Sequence, residues 1–155
     1  MQRRDTNILR PWPEGLRVES YVQSRHDFAD IARWCLNAKG GITDIRLVIA
    51  DNPKLLRKFS VGDEYDLRAA VFPSSAAHFY QLITDDPTPE MIVHECVHLW
   101  QFERGDLVRM PDWSYQWKGE LWPKDAPYRS RPWEKEAFSL QGEWWKEYRK
   151  GLKAL

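Results

Sequence analysis

The chain has 155 residues, enough for one domain with a single core. Charged residues make up 30% and aromatics 14%, with nine tryptophans, which excludes a disordered chain because such chains lack aromatic side chains to bury. Lys+Arg and Asp+Glu balance at 23 each, so bulk charge gives no reason to expect a nucleic-acid or anionic-membrane partner.

The first residues, Met1 to Asp5, carry arginines but no apolar segment follows, so they do not form a secretory signal. No apolar run reaches the length of a membrane span. Residues 1–20 are rich in Pro and Arg without a clear period and read as an extended N-terminal arm. From Asp27 the pattern changes. Phe28, Ile31, Ala32, Cys35 and Leu36 recur at helical spacing, and Gly40-Gly41 ends the segment. Residues 42–50 (ITDIRLVIA) are β-branched and apolar and read as a strand, punctuated by Asp51-Asn52-Pro53. Residues 54–66 are charged and carry no clear pattern. Residues 67–72 and 78–83 are two further strands, with Pro73-Ser74-Ser75 supplying the turn of a hairpin. His78 then reads as a histidine on the surface of a sheet.

A helix is expected from Thr88, a good N-cap, through Pro89 and Glu90 in its first turn, to about Arg104, with Gly105 as its stop. Apolar residues cover nearly every face, as in a helix buried on most sides. Three polar residues, His94, Glu95 and His98, interrupt them. Residues 114–122 (SYQWKGELW) alternate around Lys118-Gly119 and read as an aromatic hairpin, either a packing loop or a lid. Pro132 opens a last helix running to about Leu152, with Trp133, Ala137, Leu140, Trp144 and Tyr148 as its core stripe. Cys35 and Cys96 lie in apolar, helix-like segments and read as reduced core thiols of a cytoplasmic protein.

The chemistry gathers at His94-Glu95-Cys96-Val97-His98, a His-Glu-x-x-His motif. Two histidines at this spacing share one helix face and can offer two imidazole nitrogens to one zinc ion, with Glu95 beside them to handle a proton. Without a partner such polar groups are costly to bury. The metzincin extension HExxHxxGxxH is excluded, because Gln101 and Arg104 stand at its Gly and last His positions. A third ligand must come from elsewhere, and the last helix offers Glu134 and Glu136 near its buried face.

HECVHLWQ at 94–101, followed by RPWEKEA at 131–137, resembles the small one-domain zinc metallopeptidases of the gluzincin type, with HExxH on one helix and a Glu on the next. The resemblance covers roughly residues 88–140. It implies His94, His98 and Glu134 as zinc ligands and Glu95 as general base, with Ala137 completing an E-x-x-A pattern. Larger gluzincins place an Asp four residues after the ligand Glu to hold a ligand histidine. Here that position is Phe138, so Glu136 is left either to hold a histidine or to serve as the ligand.

In such an enzyme Glu95 takes a proton from the attacking water and delivers it to the leaving amine. A further donor stabilises the oxyanion. Tyr128 is the first choice, because a phenol donates without a fixed charge; Arg129, Arg131 and Tyr115 are the others. The strand at 78–83 would border the cleft and pair with an extended peptide. The expected function is therefore a zinc metallopeptidase acting on a peptide or protein, or a peptidoglycan amidase using the same site. Two rival classes are a non-catalytic protein in which zinc braces two helices and an aromatic-rich carbohydrate- or peptide-binding module. The expected fold is one α+β, zincin-like domain over 1–155. It has an N-terminal helix, a small mixed or antiparallel sheet of about three strands, the HExxH helix and the Glu helix, with both of the latter on the sheet.

Overall fold

The computed structural model describes residues 12–59 and 68–154. The fold is α+β, as the sequence predicts, and its main sheet has four strands rather than three. The extra strand is β1 (Leu16–Ser20), in what reads from sequence as an arm. Leu16 and Val18 face the core while Arg17 is exposed, so the strand alternates, and it pairs in parallel with β2 (Ile45–Asp51). The rest of the predicted arm, residues 1–11, lies outside the described residues, as does Leu67.

The helix expected from Asp27 begins as α1 (Phe28–Arg33), capped by the Asp27 side chain on the Asp30 N–H. It continues as a wider π-helical turn, Trp34–Lys39. Gly40 follows because its backbone lies against Leu36 and Trp100; a Cβ there would come within 2.8 Å of the Leu36 carbonyl oxygen and 3.1 Å of the Trp100 ring. A short helix, α2 (Pro53–Phe59), follows β2 in the stretch that sequence left unassigned.

The predicted hairpin is present as β3 (Ala69–Pro73) and β4 (Phe79–Thr84), antiparallel, and β4 also pairs in parallel with β2. The sheet order β1-β2-β4-β3 makes β4 an inner strand, which corrects the expectation that residues 78–83 border a cleft. The outer edge near the site belongs to β3. His78 is also relocated: it sits in the turn at φ 58°, exposed, with Nδ1 2.9 Å from a Glu103 carboxylate oxygen.

Helix α3 (Pro89–Glu103) carries the motif. Thr88 caps it by accepting from the Met91 N–H, Pro89 occupies its first turn, and Gly105 at φ +80° ends it. Its core residues Ile92, Val93, Cys96, Val97 and Leu99 are fully buried. The final helix, α4 (Pro132–Ala154), packs chiefly on α3 and also meets the π turn, rather than lying on the sheet as expected. Ala137 is fully buried at that contact, Trp144 packs against Trp100, and the Tyr148 hydroxyl donates to buried Asp30 of α1. Among the described residues no helix is long and apolar enough to cross a membrane.

Between α3 and α4 the predicted hairpin appears as β6 (Tyr115–Trp117) and β7 (Glu120–Trp122), joined by Lys118 and Gly119 at φ +48° and +86°. A short strand, β5 (Leu107–Arg109), adds to its edge. Its rings close on Trp133, with centroids 5.3 Å away for Tyr115, 6.3 Å for Trp117 and 5.8 Å for Trp122. The hairpin therefore packs against the start of α4 and fixes the residue just before Glu134.

Candidate metal centre

Helix periodicity puts His94 and His98 on one face of α3, and α4 brings Glu134 opposite them. The three side chains converge. His94 Nε2 and His98 Nε2 are 3.1 Å apart, and Glu134 Oε1 is 2.9 Å from each. All three residues are buried. His94, Glu95 and His98 also offer ligand atoms within 4.8 Å of one another, so Glu95 borders the same point.

The far nitrogens explain why the near ones point inward. His98 Nδ1 lies 2.8 Å from Gln101 Oε1. The orientation of that amide is fixed, because its Nε2 donates to the Trp133 carbonyl and to Glu136, each at 3.0 Å. His98 Nδ1–H is therefore the donor, and in the neutral ring Nε2 keeps its lone pair. His94 Nδ1 is likewise 2.8 Å from Gln141 Oε1. Three acceptor atoms this close repel unless a cation or a proton lies among them.

Ligands held tetrahedrally at about 2.0–2.1 Å stand about 3.3 Å apart, close to the separations seen here. The donor set thus fits a small divalent cation. Without one, the site takes a proton. Burial pushes the His98 imidazole down, but the Glu134 charge and hydrogen bond overcome this and raise it to about 9. Burial likewise tends to raise the Glu134 carboxyl, yet the His98 charge and the hydrogen bonds from both imidazoles hold it well below the usual range.

Glu95, at the edge of this cluster, is tethered to the sheet. Its Oε1 accepts the Val71 N–H of β3 at 3.1 Å. Burial raises its carboxyl, opposed by His98 and His94.

Glu136 does not reach the cluster. It accepts from Gln101 Nε2 and from Arg104 Nη2, the latter at 2.6 Å, so it supports the residue that holds His98. Phe138, at the position where larger gluzincins carry Asp, instead packs its ring 4.6 Å from that of His94 and is 52% exposed. Tyr128 reaches the site: it hydrogen-bonds Glu134, its ring meets Phe138 edge-on, and burial raises its hydroxyl far above the usual range. Tyr115 lies in the field of Arg109, Glu134 and Glu95, with its hydroxyl also raised by burial. Arg131 is engaged by the Ala126 carbonyl.

Sequence reasoning missed Gln101 and Gln141. Both carried a spacing signal: Gln101 stands one turn beyond His98, and Gln141 two turns beyond Glu134 on the same face. It also missed the Val71 N–H, for which side-chain identity gives no signal. No family model, curated protein or solved structure matches the chain.

Proposed function

We propose that the chain is a zinc-dependent hydrolase, a small metallopeptidase of the gluzincin type with a zincin-like fold. One observation carries this reading. Two imidazole nitrogens and a carboxylate oxygen converge from two helices, each within 3.1 Å of the others, with the buried carboxylate of Glu95 alongside. His94, His98 and Glu134 would hold the ion. Zinc bound there supplies a Lewis acid, which makes a water acidic near neutral pH and polarises a carbonyl.

The remaining work falls to the chain. Glu95 accepts the proton of the attacking water and passes it to the leaving amine. Its burial raises its proton affinity, and the Val71 N–H fixes one oxygen so that the other faces the reacting atoms. Tyr128 is the proposed donor to the developing oxyanion, and its raised hydroxyl stays protonated at working pH. A substrate strand fits along β3. Arg68 and Ser74 bond across to β4, so Ala69 directs both main-chain groups away from it and Val71 its carbonyl, the Val71 N–H being held by Glu95.

Peptidoglycan peptides would be cleaved by the same groups. The second reading is a zinc brace between two helices without turnover. Glu95 favours the enzyme, because a bracing site has no use for a buried carboxylate next to its ligands. Metal analysis of purified protein should give one equivalent of zinc. Glu95→Gln should keep the metal and lose about 10²–10⁴-fold in peptide cleavage. Zinc retention with no cleavage by the unaltered protein would favour the brace.

A further inference from the structure

Arg109 ends β5, opposite Tyr115 of β6. Its guanidinium carbon lies 3.8 Å from the Trp113 ring centroid and 5.1 Å from that of Phe72. Phe72 follows Val71, whose N–H is bonded to Glu95. Arg109 therefore stands where the aromatic hairpin meets the edge strand whose Val71 N–H holds the proposed base.

Half-buried Arg46 and Arg109 both lie over aromatic rings, and of the two Arg109 is the one at the hairpin. Arg33, Arg68, Arg104 and Arg131 each donate to a carbonyl or carboxylate oxygen. Among the described residues, none gives the Arg109 guanidinium a hydrogen bond or an ion pair. Partial burial of the side chain pushes its pKa down, while its nitrogens stay open to solvent. The two rings offset part of this by holding the cation at their faces. The five N–H donors lie in the guanidinium plane, so ring contact leaves its edge able to grip a planar acceptor bidentately. Trp113 is 52% exposed, which places the group at a surface that solutes reach.

We propose that Arg109 binds a carboxylate of the substrate, so that the cleft selects peptides with an acidic side chain or a free C-terminus close to the bond presented to Glu95. This rests on the peptidase reading and narrows its substrate class. Arg109 completes its charge pairing only when substrate is bound, and the missing counter-ion arrives with the correct peptide. An amide isostere in that place offers the guanidinium no charge to pair with, which is where discrimination originates.

The test measures binding without turnover. Full-length, zinc-loaded protein carrying Glu95→Gln is titrated with fluorescent hexapeptides in matched pairs, Glu against Gln at each position and free C-terminus against carboxamide. One acid arm should bind about tenfold or more tightly than its amide partner, and the arm that does so identifies the source of the carboxylate. Arg109→Gln should reduce that preference to within about twofold, while Arg109→Lys keeps part of it, because charge survives but the fork does not. Equal affinity for every acid and amide pair, retained preference in Arg109→Gln, or no peptide binding at all would overturn the proposal and leave Arg109 as a bridge between two rings. Failure of the peptidase reading is a separate result, in which the unaltered protein neither retains zinc nor cleaves peptide.

Discussion

The side-chain oxygen of Gln101 lies 2.8 Å from Nδ1 of His98, while the nitrogen of the same amide is gripped by Trp133 and Glu136. One amide thus sets the tautomer of a histidine on its own helix and ties it to the next helix. Replacing Gln101 by Leu leaves His98 free to turn and to exchange tautomers. Zinc affinity should fall about 10–100-fold, as for other residues that orient metal ligands. Competition against a chromogenic chelator measures this, and unchanged affinity would show the amide to be dispensable.

The two glutamates of α4 separate cleanly by substitution. Glu134→Gln replaces the carboxylate 2.9 Å from both imidazoles with a neutral amide and should abolish tight zinc binding. Glu136→Gln should retain the metal. It weakens the partly exposed Arg104 pair, at a cost of about 1 kcal/mol or less read from denaturant unfolding, while the Gln side-chain oxygen can still accept from Gln101.

Zinc uptake should release a proton. In the metal-free protein His98 is raised from 6.5 to about 9 and is therefore mostly protonated at pH 7. A ligand nitrogen must give that proton up. Calorimetric titrations in buffers of different ionisation enthalpy should report about one proton released at pH 7, with release falling away as pH rises past 9. A buffer-independent enthalpy at pH 7 would contradict the protonated site.

The same pair sets a stability window for metal-free protein. The raised His98 contributes fully below its unfolded value of 6.5, and this is lost as pH rises through about 9. The lowered Glu134 contributes above its unfolded value of 4.5, and this is lost as pH falls through its depressed folded value. The combined contribution is therefore complete between 4.5 and 6.5. Thermal melting of chelator-treated protein should show Tm declining from pH 6.5 to 9, and the decline should be shallower in Glu134→Gln.

Thr88 anchors the start of α3 through the Met91 N–H. Thr88→Ala should cost about 1 kcal/mol and lower Tm by about 2–4 °C, with zinc content unchanged because the ligands lie further along the helix. Loss of metal in this variant would mean that the first turn positions the site.

The motif helix was legible because its punctuation is local: Thr88 and Pro89 start it, Gly105 stops it, and HExxH needs only helical spacing. That the last helix would bring a glutamate to the histidines was legible through Pro132 and the apolar stripe behind it, but the choice between Glu134 and Glu136 was not, since both lie near the buried face. Strand β1 was not, because the Pro and Arg around it masked the alternation of Leu16 and Val18. The packing of α4 on α3 was not either, since an apolar stripe says that something covers it and not what. His78 was misplaced because a turn at positive φ beside Glu103 is set by a contact 25 residues away. Arg109 carries no pattern at all in sequence; its lack of a counter-charge is a property of assembled space.

Glu95 is moored to main chain rather than to a side chain. Every residue but proline supplies an N–H, so at buried position 71 another apolar side chain of similar size keeps the mooring. A one-residue slip of β3 along β4 is different, since it turns the other set of amides outward and leaves Glu95 facing none. The buried side chains of Ala69 and Val71, which hold that register, thus also keep the carboxylate in place.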